Sequence, residues 1–103
     1  YSPTQTLSDG ANISLDFNNG NVATVTLAGN RTLDNPSNPK NGGTYIVIVK
    51  QDGTGGRTLA YGGNYKWEGG TAPTLSTGAN AVDILTFVSD GTNMYGTKAQ
   101  NFS

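Results

Sequence analysis

Ala11-Asn12-Ile13-Ser14-Leu15-Asp16-Phe17-Asn18-Asn19-Gly20-Asn21-Val22-Ala23-Thr24-Val25-Thr26-Leu27-Ala28 decides the fold. Ile13, Leu15 and Phe17 alternate with Asn12, Ser14 and Asp16, and Ala23, Val25 and Leu27 alternate with Thr24 and Thr26. A period of two sends successive side chains to opposite faces of an extended chain, so each run has one apolar and one wet face. Asn19-Gly20 accepts the positive φ of a tight turn, and residues 11–28 are therefore expected to form a β-hairpin.

The same chemistry continues downstream. Thr44 to Lys50 is apolar through its middle and rich in β-branched residues, which predicts a central strand covered on both faces. Further short strands are expected at Arg57–Tyr61, Tyr65–Trp67, Ala81–Val88 and Met94–Lys98, with Asp90-Gly91-Thr92-Asn93 joining the last two as a hairpin. Residues 34–43 carry Pro36 and Pro39 and read as the longest loop. No run of helical apolar spacing escapes interruption by glycine, so only a brief turn near Asn80 is admitted. The expected fold is all-β: an antiparallel β-sandwich or jelly-roll-like barrel of about seven to nine strands, with essentially no helix. Its expected core is Ile13, Leu15, Phe17, Val25, Leu27, Val47, Val49, Leu85 and Phe87.

Composition agrees. The 103 residues support a single β domain, 1–103, and 15 glycines with abundant Thr and Asn suit turns and polar strand faces. Charged residues are only 13%, the net charge is -1, and the six cations are scattered singly, which leaves no footprint for nucleic acid. No apolar run approaches the roughly 20 residues of a membrane-spanning helix, and no membrane contact is expected. The chain begins at Tyr1, which favours a domain cut from a longer fibre-type chain, residues 1–10 serving as linker or interface arm.

Histidine and cysteine are absent, which removes the commonest ligands of zinc and haem and the commonest acid-base and nucleophilic groups. No cofactor, metal or catalytic residue is expected, and the chain is read as non-enzymatic. Asp9, Asp52 and Asp90 each precede glycine at a turn, where a carboxylate ordinarily accepts backbone N–H groups. The segment Asp52-Gly53-Thr54-Gly55-Gly56-Arg57 lacks the later acidic ligands of a calcium loop and the helix of a phosphate-binding loop. Asp83 lies in an otherwise apolar strand and needs partners, either backbone amides or a cation such as Arg57 or Arg31; Asp83 and Arg57 are the expected structural polar tie. Tyr61, Asn64, Tyr65 and Trp67 gather between glycine pairs, where aromatic rings can stack on a sugar and amides can bind its hydroxyls.

Several stretches carry a resemblance: residues 25–33 from Val25 to Leu33, Asn35-Pro36, residues 51–58 from Gln51 to Thr58, residues 69–75 from Gly69 to Leu75, residues 80–87 from Asn80 to Phe87, and Asp90-Gly91-Thr92. Over about residues 22–103 the chain resembles a β-rich module of tail-fibre and other virion structural proteins of tailed bacteriophages, marine and cyanobacterial ones among them. The resemblance implies a virion location, other virion proteins as partners, and no active site to carry over. The expected function is a tail-fibre, spike or capsid-decoration domain that forms a homo-oligomer, a trimer being favoured, and presents a surface to a host glycan. The alternative is a carbohydrate-binding module or a subunit of an extracellular filament.

Overall fold

The computed structural model describes residues 4–102. Along these residues run β1 (Thr4–Thr6), β2 (Asn12–Ile13), β3 (Val22–Leu27), β4 (Arg31–Leu33), β5 (Asn41–Gln51), β6 (Leu59–Tyr61), β7 (Tyr65–Trp67), a 3-10 turn at Glu68–Gly70, β8 (Val82–Asp90) and β9 (Met94–Phe102). They form a six-stranded sheet, β1-β3-β5-β8-β9-β7, and a three-stranded sheet, β2-β4-β6. The fold is all-β, as the alternation requires.

The path of the chain differs from a sequence of hairpins. The first six strands alternate between the two sheets, and each lies parallel to the strand two before it. Residues 4–61 thus wind as three coils, β1–β2, β3–β4 and β5–β6, in a short parallel solenoid. The hairpin expected over 11–28 does not form, because β2 and β3 belong to different sheets. Alternation fixes which face of a strand is buried; it leaves the neighbouring strand unspecified. Antiparallel pairing is confined to β5–β8 and β8–β9, and β7 joins β9 in parallel.

The core lies between the sheets. Across the six-stranded sheet, Ala23, Val47 and Leu85 stand side by side, as do Tyr45 and Phe87, while Ile13, Leu33 and Leu59 face them from the smaller sheet. All nine residues expected in the core are buried there, with Leu7, Leu75 and Met94 among those added by the fold. The expected loop at 34–43 ends early: Asn41 to Gly43 open β5, and a bulge between Asn41 and Thr44 absorbs the irregular backbone. Asp16 also bridges Ser37 within that loop. The Asp90–Asn93 hairpin and a turn at Asn80, with φ 59°, form where expected.

β5 lies inside the sheet between β3 and β8, but the described residues cover only one of its faces. Tyr45, Val47 and Val49 are buried, whereas Ile46 and Ile48 on the opposite face remain half-buried. The smaller sheet stops at β6 and leaves the inner face of β8, β9 and β7 without a matching strand. Aromatic rings and the segment 71–76 fill that space.

Candidate functional site

The aromatic filling starts from Phe87, on the inner face of β8. Trp67 meets it edge-on at 5.3 Å between ring centroids, Tyr65 at 5.4 Å, and Tyr61 closes on Trp67 at 4.8 Å. Opposite Phe87 in the next strand stands Gly96, where an added Cβ would come within 2.7 Å of both Phe87 and Trp67. Glycine is what lets the indole lie down on β9.

Of the four residues expected to contact a ligand, Tyr65 is buried, and its hydroxyl donates to the Asp34 carbonyl at 2.9 Å. Asn64 is half-buried, and its N–H donates to Asn35 Oδ1. Tyr61 and Trp67 are half-buried, packed against the core yet bordering open clefts. One groove of about 450 Å3 runs between Trp67, Glu68, Thr71 and Pro73 on one side and Gly96, Thr97 and Lys98 on the other. A second, of about 420 Å3, separates β6 from Gly70, Ala72 and Pro73. The Tyr61 hydroxyl and Trp67 Nε1 are buried without a hydrogen-bond partner among the described residues, and burial pushes the Tyr61 phenol well above its ordinary pKa. Each orphaned group costs about 1–3 kcal/mol relative to a satisfied one.

The acidic residues serve the backbone. Asp83, 2% exposed, accepts from the Ser76 amide at 2.8 Å, the Asn101 amide at 2.9 Å and the Gln100 side chain at 3.2 Å. Desolvation would raise its pKa, but the amides of Asn101 and Ser76 outweigh it and hold the carboxyl below its ordinary value. Arg57 is not its partner: it pairs with Asp52 at 3.0 Å, and Asp52 also caps the amides of Thr54 and Gly55. The tight turn at 52–57 holds Arg57 against Asp52, and the acceptor oxygens of Asp83 are already taken by Ser76, Asn101 and Gln100. Arg31 likewise goes to Asp9, which also accepts from the Ala28 amide. Asp90 accepts from Thr92, Asn93 and the Tyr95 hydroxyl. Among the described residues no three His, Cys, Asp or Glu side chains converge to hold a metal.

A second surface is apolar. On the outer face of the six-stranded sheet, register sets Val22 beside Ile46, Ile48 beside Ile84, and Val88 beside both Thr44 and Tyr95. Phe102 stands opposite Val82. Val88, Tyr95 and Phe102 are about half exposed, at 53%, 51% and 49%. Single exposed apolar residues are ordinary on a soluble surface; here several share one sheet face, with Thr24, Thr86 and Thr97 set among them by the same register. The exposed Tyr95 and Phe102 escape a sequence reading that weighs aromatic clustering, because each is isolated along the chain.

The described residues define an all-β domain whose larger sheet has an outer face that no other described element covers. Residues 4–94 match the family described as "Putative phage tail fibre C-terminal domain", and the chain belongs to that family. It is accordingly a virion-associated, bacteriophage tail-fibre domain. No curated protein and no solved structure gives a significant match.

Proposed function

We propose that the domain is a non-enzymatic building element of the fibre that assembles in identical copies, three being the favoured number, through the outer face of its six-stranded sheet. The observation that carries this reading is the set of Ile46, Ile48, Ile84, Val88 and Tyr95 on one sheet face that no described element covers. Covering such a face removes apolar area from water at about 25 cal/mol per Å2 and adds to the stability of a small domain. The test is mass by light scattering or sedimentation over a wide concentration range. The parent is expected at a small multiple of the chain mass, and Val88→Asp at the mass of one chain with an unchanged far-ultraviolet spectrum. A parent that stays monomeric at the highest concentration refutes the reading.

A second reading is favoured by the orphaned Tyr61 hydroxyl and Trp67 Nε1: the grooves beside Trp67 take a host-surface glycan. The groove offers an apolar ring edge, the Glu68 carboxylate, the Lys98 ammonium and threonine hydroxyls, a mixture that suits a sugar. Binding to host cells should fall with Trp67→Phe and Lys98→Ala while Asp52→Ala leaves it unchanged. Equal binding by all three variants removes the grooves from consideration.

A further inference from the structure

We propose that the N-terminal end of the solenoid is a stacking surface for one more two-strand coil, supplied by the fibre polypeptide that runs into Thr4. Both sheets grow in the same direction, β1 to β3 to β5 and β2 to β4 to β6, so the free edges of β1 and β2 come together at one end. No described strand lies beyond either. The Leu7 N–H donates to the Thr24 carbonyl at 2.8 Å, and in a parallel ladder alternate residues bond to the same neighbour. The peptide groups of Thr4 and Thr6 therefore point away from β3. On the other sheet the carbonyls of Ala11 and Ile13 accept from Thr32 and Asp34, which turns the peptide groups of Asn12 and Ser14 outward. The end thus carries two rails of backbone donors and acceptors that no described strand pairs.

Between the rails is a socket of about 430 Å3, bordered by Gln5, Ser8, Asn12 and Asn19, with Leu7 and Leu15 lining it. Gln5 Nε2 holds its wall closed by donating to the carbonyls of Asp16 and Gly20, at 2.8 and 2.9 Å. A further coil would pair both rails and lay its side chains over a socket bordered mostly by polar groups, Gln5, Ser8, Asn12, Ser14 and Asn19 among them. A preceding stretch of the same chain is the occupant that fits. It delivers two parallel strands, one per sheet, in the direction and spacing already set by β1–β2 and β3–β4, and the family's description places the domain at the C-terminal end of a fibre. Two bare parallel edges are also the kind of template that proteins keep covered.

The inference rests on the fibre assignment and is independent of assembly through the outer sheet face, which is read by mass on the 103-residue chain. The experiment is hydrogen exchange of the peptide groups over Thr4–Ser14, in this chain alone and in the intact fibre polypeptide that ends in it. Exchange in the intact fibre is expected to be slower by about tenfold or more. Thr6→Pro removes an outward N–H that β3 does not use, so it should leave the melting temperature of the 103-residue chain nearly unchanged while cancelling the protection in the fibre. Equal exchange in the two chains overturns the proposal. So does protection that is already present in the 103-residue chain and rises with its concentration, which would make a second copy the occupant.

Discussion

The two halves of this domain solve the same problem by different means. In the three coils, each apolar strand face is met by another strand face: Ile13, Leu33 and Leu59 press on Ala23, Val25, Leu27 and Val47. From β7 onward no described strand extends the smaller sheet, and the inner face of β8 and β9 is covered by the rings of Tyr61, Tyr65 and Trp67 and by the polar anchoring of segment 71–76. Repeated strand pairing tolerates weak local specificity, since each coil is templated by the last. A single layer of rings and one buried carboxylate does not, and the C-terminal half should be the more sensitive to single substitutions.

The largest expected effect lies where the halves meet. Phe87 is fully buried, contacts Tyr65 and Trp67, and sits beside Tyr45, which stacks on Phe17 at 3.8 Å. Phe87→Ala should cost about 3–5 kcal/mol and loosen both halves together. In the coils, Leu33→Ala should cost about 2–5 kcal/mol, and hydrogen exchange should show opening confined to β2 and β4. Denaturant titration of the two variants breaks the comparison if Leu33→Ala proves the more damaging.

Asp83 comes next. Removing it leaves the amides of Ser76 and Asn101 without their acceptor, so Asp83→Ala should cost about 2–4 kcal/mol. The pH dependence follows from the direction of its shift. The folded carboxyl is held below its ordinary value, so its stabilisation is complete above the unfolded pKa of about 3.9 and is lost as pH falls through the folded value. Melting temperature should fall with acidification below about pH 4 in the parent and fall less in Asp83→Asn. An unchanged acid limb in the variant would assign the acid sensitivity to the exposed caps at Asp9, Asp52 and Asp90.

Smaller still is Gly96→Ala. The added carbon meets Phe87 and Trp67 at 2.7 Å, and either ring can give slightly, so a loss of about 1–3 kcal/mol is expected, with a change in tryptophan fluorescence. A silent substitution would mean that the indole is looser over β9 than the packing implies.

Much of this was legible in the sequence because burial follows the alternation of side chains. Ile13, Leu15 and Phe17 are all buried although the strand proper covers only Asn12–Ile13 and a single bridge, Asp16 to Ser37, continues it, so the pattern reported the face correctly even where the strand is short. Pairing was not legible. Asn19-Gly20 has the chemistry of a hairpin turn, yet Gly20 sits at φ 153° in a link between sheets, and nothing local distinguishes the two uses. The same limit governs the candidate site. Tyr61, Tyr65 and Trp67 do cluster in space, with Tyr61 and Tyr65 at 6.2 Å, but they turn inward, because the missing strands beyond β6 leave a gap that only large rings can fill. Tyr65 is buried, while Tyr61 and Trp67 keep an edge at the clefts they border.

The smallest expected effect is also the one whose sign separates the two uses of these rings. If Tyr61 is only a filler of the C-terminal half, its hydroxyl is a liability: it is buried without a partner beside an edge of Trp67. Tyr61→Phe keeps the ring, its contact with Trp67 and nearly all its volume, and removes the orphaned oxygen. Folded stability should then stay level or rise by up to about 1 kcal/mol, because burying an unsatisfied hydroxyl is unfavourable and no bond is lost. A loss of stability would instead show that the oxygen is satisfied in solution, by a water molecule in the 420 Å3 cleft it borders. If stability rises while binding to host cells falls, the hydroxyl is kept at a cost to folding because a ligand uses it. If both are unchanged or improved, the rings of the C-terminal half stand in for the absent strands and do nothing more.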